Sequence, residues 1–86
     1  MRVIIPSSLR SYTKGEGLVE ASGRTVAELV ADLDRRYPGL RFRIVDEQGK
    51  LRPHVRVSVN AAVVSELRTP LKDGDEIALI QAFSGG

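Results

Sequence analysis

The sequence predicts an α+β domain in which one mixed sheet is covered on one face by one main helix. Three observations lead there. Only one segment, Val26 to Tyr37, repeats apolar residues at helical spacing. Around it lie five short segments that are β-branched or alternate apolar with polar residues. The chain has 86 residues, which allows a single modest core and no second domain.

Arg2-Val3-Ile4-Ile5-Pro6 is β-branched and closed by a proline, so it reads as a first strand. A turn region with the glycines of Thr13-Lys14-Gly15-Glu16-Gly17 follows, and Leu18-Val19-Glu20-Ala21 returns as the antiparallel partner. Thr25 is placed to cap the helix, with Glu28 completing a capping box. Val26, Leu29, Val30, Leu33 and Tyr37 form its apolar stripe, while Glu28, Asp32, Arg35 and Arg36 fall on the other side. Pro38-Gly39 ends it. Residues 40 to 53 read as irregular, with Asp46 to Lys50 as an exposed turn.

His54 to Asn60 alternates, with Val55, Val57 and Val59 on one face and His54, Arg56 and Ser58 on the other. Asn60-Ala61 is read as a turn into a short edge strand at Ala62-Val63-Val64. Asp73-Gly74 is a strong turn dipeptide leading into Glu76 to Phe83. That last run is nearly all apolar, which predicts a central strand with little exposure on either face.

Composition removes several function classes. With 13 Lys+Arg against 11 Asp+Glu, the net charge is +2 and the basic residues are scattered, so nucleic-acid binding is not implied. No stretch approaches a membrane span and no signal-peptide pattern opens the chain, so the expected place is the cytoplasm, away from membranes. There is no cysteine, which excludes disulfides, thiolate nucleophiles and thiolate metal ligands together. His54 is the one histidine; without cysteine or an acidic cluster at ligand spacing it reads as a rim residue, and no metal site is expected.

The chain stops at Phe83-Ser84-Gly85-Gly86. Two glycines without Cβ atoms can pass down a channel too narrow for other residues, which suits a protein whose own carboxyl terminus is a substrate. Glycine is also common at frayed ends, so the pair alone leaves both readings open. The expected organisation is a domain over residues 1–82 and a flexible tail over 83–86.

The order strand, strand, helix, strand, short strand, strand is that of a β-grasp, with first and last strands parallel in the middle. Nearly the whole chain also resembles the ubiquitin-like bacterial sulfur carriers, which include the small subunit of molybdopterin synthase and the thiamine-pathway carrier. The resemblance rests on Ile5-Pro6-Ser7-Ser8-Leu9-Arg10, Thr25-Val26-Ala27-Glu28-Leu29, Tyr37-Pro38-Gly39, Leu51-Arg52-Pro53-His54-Val55, Val57-Ser58-Val59-Asn60, Pro70 to Glu76, and Gly85-Gly86.

What it implies is a co-substrate rather than an enzyme. An activating enzyme related to ubiquitin-activating enzymes adenylates Gly86 with ATP, a sulfur donor displaces AMP, and the thiocarboxylate passes sulfur to a synthase. ATP belongs to the partner and no cofactor is held permanently. A thiocarboxylate is ionised and nucleophilic at neutral pH, much as a thiolate is. Ile5 to Arg10, Thr13-Lys14-Gly15 and Ala21 to Thr25 are similar to carriers that feed cysteine synthesis through an O-phosphoserine-type acceptor. Asn60-Ala61-Ala62 departs from the family's glycine-acid turn. Phe83-Ser84 departs from its small aliphatic-alanine pair, at the place where partners grip the tail.

Gly85, Ser84 and Phe83 are thus the expected tail contacts, and Ile80 or Val64 the expected companions of an exposed Phe83 in a partner patch. Phe83 reads first as core. The weaker motifs have plainer readings. Gly15-x-Gly17 fits a hairpin turn better than a nucleotide loop. Asp73-Gly74-Asp75-Glu76 fits a turn better than a cation site. Ser7 and Ser8 lack a histidine and acid at motif spacing. Two other uses of the terminus remain: a protein modifier joined to lysines through Gly86, and an interaction module that does not need Gly86. A small carrier visiting several enzymes is expected to be a monomer when free.

Overall fold

A computed structural model describes residues 1–81. Five strands form one sheet: β1 Arg2–Ile4, β2 Leu18–Glu20, β3 Val55–Val59, β4 Ala62–Val64 and β5 Glu76–Gln81. Their spatial order is β2-β1-β5-β3-β4. β1 and β5 run parallel at the centre, Val3 opposite Ile77, while the other neighbours are antiparallel. This is the expected β-grasp arrangement.

Helix α1, Val26–Arg36, lies against one sheet face. Val26, Leu29, Val30 and Leu33 are buried among Val3, Val57, Ile77 and Leu79 of the sheet. Thr25 caps the helix by accepting the Glu28 N–H at 3.2 Å. Glu28 reaches back one residue further than a standard box, accepting from Arg24 N–H at 3.0 Å. Gly23 sits under this first turn, where a Cβ would lie 2.4 Å from the Leu29 nitrogen.

Asp32 overturns its polar-side placement, for it is buried. Its Oδ2 accepts the Ser22 N–H at 2.9 Å and Arg36 Nε at 3.0 Å, and Oδ1 accepts from Arg35. The carboxyl thus ties α1 to the strand connection before it. The Ser22 N–H holds the acid at about 2, below the ordinary 3.8, with Arg35 and Arg36 adding to it against the opposing effect of burial. A depressed carboxyl adds stability that is whole above the unfolded value near 3.8 and lost as pH falls through about 2. Asp32→Asn is expected to cost about 1–2 kcal/mol at neutral pH. In urea melts, its gap from the parent protein should close as pH approaches 2.

Two segments gain order that the sequence reading left open. The turn after β1 contains a 3-10 helix, Ser7–Thr13, with buried Leu9 and Thr13. Thr13 Oγ1 satisfies itself on the Glu16 carbonyl at 2.7 Å. The stretch called irregular opens with a short helix α2, Leu40–Ile44, which buries Leu40 and Ile44 beside α1. Five residues are too few to show a helical period in sequence. The turn after it closes on Asp46, whose Oδ1 accepts the Gln48 and Lys50 N–H groups.

The β3–β4 hairpin is tight, with Val59 opposite Ala62 and both turn residues left-handed, Asn60 at φ 51° and Ala61 at φ 73°. Alanine pays a steric cost there that glycine does not. Ala61→Gly is expected to raise stability by about 0.5–1 kcal/mol, read as a higher thermal midpoint. β5 is central as expected, yet it is not covered on both faces. Helix α1 covers one, and Ile80 on the other is 42% exposed. The final strand is traced through Gln81, so its expected continuation to Phe83 lies outside the described residues.

Candidate functional site

The tail residues Phe83, Ser84, Gly85 and Gly86 lie outside the described residues, so the site is built from what flanks them. β5 leads there. Its last residue, Gln81, stands opposite Val55 at the start of β3. Ser8 Oγ hydrogen-bonds Gln81, tying the 3-10 helix to the end of β5.

The sheet face away from α1 carries a row of paired positions running across all five strands. Leu18 stands opposite Ile4, Ile4 opposite Ala78, Ala78 opposite Ser58, and Ser58 opposite Val63. Directly paired residues share a face. Leu18, Ile4 and Val63 are exposed, and Ile80 adds to them one step further along β5. An apolar face of this kind, rimmed by charge, is open to contact with another surface. Arg2, Glu20 and Glu76 line its far end.

Ile80 is therefore well placed for a partner patch, but Val64 is not its companion. Val64 pairs with Val57, which pairs with Leu79, and all three point to the helix side, where Val64 packs on the core. Ile80 pairs instead with Arg56 on the open side. The period of two in a strand separates them: two residues can be near in sequence pattern yet face opposite ways once the register is fixed. Val64 lines a groove of about 770 Å³ at this end of the sheet, between the β3–β4 hairpin and the loops before and after it.

Sequence reasoning missed Ile4, Leu18 and Val63. The signal was present in adjacent apolar pairs, Ile4-Ile5 and Leu18-Val19. In a strand buried on one side only, one member of such a pair must face outward.

The weaker motifs find structural uses. Gly17 makes room for Arg10, whose guanidinium carbon would lie 2.9 Å from an added Cβ and whose Nε donates to the Ile5 carbonyl at 3.0 Å. Asp75 closes its turn, accepting Lys72 N–H at 2.8 Å and Asn60 Nδ2 at 2.9 Å. These bonds, the Lys72 N–H first, favour the ionised form and hold the Asp75 carboxyl below the ordinary carboxylate range. Asn60 Oδ1 in turn accepts Glu76 N–H at 2.9 Å, joining the β3–β4 turn to the start of β5. His54 is half-buried just before β3. Among the described residues no helix is long and apolar enough to cross a membrane.

Comparison with known proteins adds the following. The model of the ThiS family matches residues 3–86, through the final glycine. The sulfur carrier protein CysO of Mycobacterium tuberculosis is 37% identical over 89 residues, covering 98% of this chain and 96% of that protein. The crystal structure of the Amycolatopsis orientalis BexX/CysO complex contains a chain that superposes with a TM-score of 0.91 at 40% identity, with 99% of this chain and 98% of that one covered. The small archaeal modifier protein 1 of Methanosarcina acetivorans superposes at 0.80 with 29% identity, covering 99% and 94%.

Proposed function

Because the chain belongs to the ThiS family, we propose that it is a sulfur carrier whose load sits on Gly86. The observation that carries this reading is the full-length match: the family pattern runs to Gly86, and a relative named as a sulfur carrier aligns over almost all of both chains. A Gly86 carboxylate oxygen attacks the α-phosphorus of ATP on an activating enzyme, and pyrophosphate leaves. Hydrosulfide, supplied by the donor, then adds to the acyl carbon and AMP departs with the C–O bond electrons. The thiocarboxylic acid formed loses its proton at neutral pH. The acceptor implied by Ile5 to Arg10 and its companion segments is of the O-phosphoserine type.

Covalent geometry limits the reach of this chemistry. Five residues beyond Gln81 allow Gly86 to lie at most about 17 Å away. An enzyme that holds Gly86 in its adenylation pocket must therefore also stand against the end of the sheet, and the open face beside Ile80 is the apolar surface available to it. Ile80→Asp is expected to raise the KM for activation by about tenfold or more while the chain stays folded, its melting temperature lowered by only about 4–8 °C for the lost burial and strand propensity. An unchanged KM would place the contact elsewhere.

The absence of cysteine gives the test an unusually clean readout. After incubation with an activating enzyme, ATP and sulfide, a thiol-selective alkylating reagent has no side chain to modify, so one added group reports the thiocarboxylate. No alkylation despite ATP consumption would overturn the carrier reading. The likeness to a small archaeal modifier protein favours one second reading, attachment of Gly86 to lysines of other proteins. That reading predicts ATP-dependent products of high mass, which a carrier alone does not form.

A further inference from the structure

The groove at the tail end of the sheet has a charge character that the whole chain lacks. Its rim holds Arg41, Lys50, Arg52, Arg56 and Arg68, against the single acid Glu66. That local surplus exceeds the net +2 of the full sequence. Among the described residues, none of these five cations forms a salt bridge; the three ion pairs present involve Met1, Arg35 and Arg36. Two of the five are instead held by neutral groups. Arg52 Nε donates to the Phe42 carbonyl at 2.7 Å, and its guanidinium lies 4.7 Å from the Phe42 ring centre. Arg56 donates to the Pro53 carbonyl at 2.6 Å. Such partners fix direction without cancelling charge; Asp46, near Lys50 and Arg52, offsets part of it, and the rim stays net positive toward an anion.

The floor is apolar. Val55, Val64 and Leu67 line it, with Val64 and Leu67 packed on the core. Val55 stands opposite Gln81, so the groove opens where β5 hands over to the tail. Arg56, opposite Ile80, joins its rim to the open apolar face. A basic rim over an apolar floor is complementary to an extended segment that alternates carboxylates with aliphatic side chains.

We infer that this groove docks an acidic, partly apolar peptide segment of the protein that takes hold of the tail, the joint recognition of groove and Gly86 setting which partners are served. This inference rests on the carrier reading for its meaning, but not for its test. Electrostatic capture at the groove speeds encounter and orients the partner before the tail is threaded.

The test uses the free chain and a capped hexapeptide of alternating glutamate and leucine, followed by amide chemical-shift changes. Changes are expected at residues 49–56 and 63–68, saturating at millimolar peptide or below and weakening with salt. The Lys50→Glu/Arg68→Glu variant reverses two exposed charges that form no salt bridge among the described residues, and is expected to weaken binding about tenfold or more. A glutamine-leucine hexapeptide should bind at least about tenfold more weakly than the acidic one. The inference is overturned by no change at millimolar peptide, by changes mapping elsewhere, or by equal binding of the neutral peptide. It is overturned too if a single-stranded oligonucleotide occupies the same amides at lower concentration, which would make the groove a nucleic-acid site. Since no activating enzyme is present, any of these results leaves thiocarboxylate formation at Gly86 as a separate question.

Discussion

Deleting Gly86 is expected to abolish activation of the chain while leaving its melting temperature within about one degree of the parent's, because loss of a single terminal glycine removes no side chain and costs little stability. The loss is chemical rather than energetic. Adenylation needs a carboxylate at one fixed distance from the body of the domain, and removing one residue withdraws it by roughly 3.5 Å. A displacement of an ångström at a reacting centre already costs about a hundredfold in rate. Gly85→Ala/Gly86→Ala should also fail, for a different reason: a Cβ is added where the carrier reading requires a narrow channel. ATP–pyrophosphate exchange with the activating enzyme measures both. Wild-type exchange by the truncated chain would mean that Gly86 is not the residue activated.

Ile77→Ala is expected to have the largest effect on folding, a loss of about 3–4 kcal/mol by urea titration. Ile77 is fully buried in β5, with Val3 of β1 on one side and Val59 of β3 on the other. Its side chain fills the space between sheet and α1, in the same cluster as Leu29 and Leu33. A cavity there cannot be closed by one strand moving, since β5 is hydrogen-bonded on both edges. A domain of this size has few kcal/mol in reserve, so the variant should be partly unfolded at 37 °C. A loss under about 1 kcal/mol would mean that the core collapses around the gap, contrary to the packing described.

The parts of the fold legible in the sequence were those written in periodic patterns. The stripe Val26, Leu29, Val30, Leu33 repeats often enough to declare α1, and the alternation through Val55, Val57 and Val59 declares β3. The element order then leaves few topologies, and the observed β-grasp is among them. What was not legible depends on contacts distant in sequence. Asp32 lies four residues before Arg36, which suggests a surface pair; the Ser22 N–H that makes it a buried tie comes from another element. Residues 40 to 44 are helical because Leu40 and Ile44 find the core, not because five residues insist on it.

The site divides in the same way. The terminal glycines and the motifs that resemble the sulfur carriers were visible from the outset, and the family match bears out the resemblance. The partner surface was only half visible. Ile80 and Val64 were each named as a companion of Phe83, which lies outside the described residues; register with β3 puts the two on opposite faces of the sheet, so one patch does not hold both. The basic groove was hidden because its cations come from α2, the loop before β3, β3 itself and the loop after β4. Spread along the sequence, they read as scattered charge.

The central claim is that Gly86 exchanges a carboxyl oxygen for sulfur. Its most direct test is fragment mass spectrometry of the chain after incubation with an activating enzyme, ATP and sulfide. Localisation is essential, for the exchange changes the mass almost as oxidation of Met1 does. The account predicts the gain on carboxyl-terminal fragments containing Gly86, dependent on ATP and removed by an acceptor enzyme. A chain that is adenylated yet retains an unmodified terminus, or carries the gain only on fragments containing Met1, would contradict it.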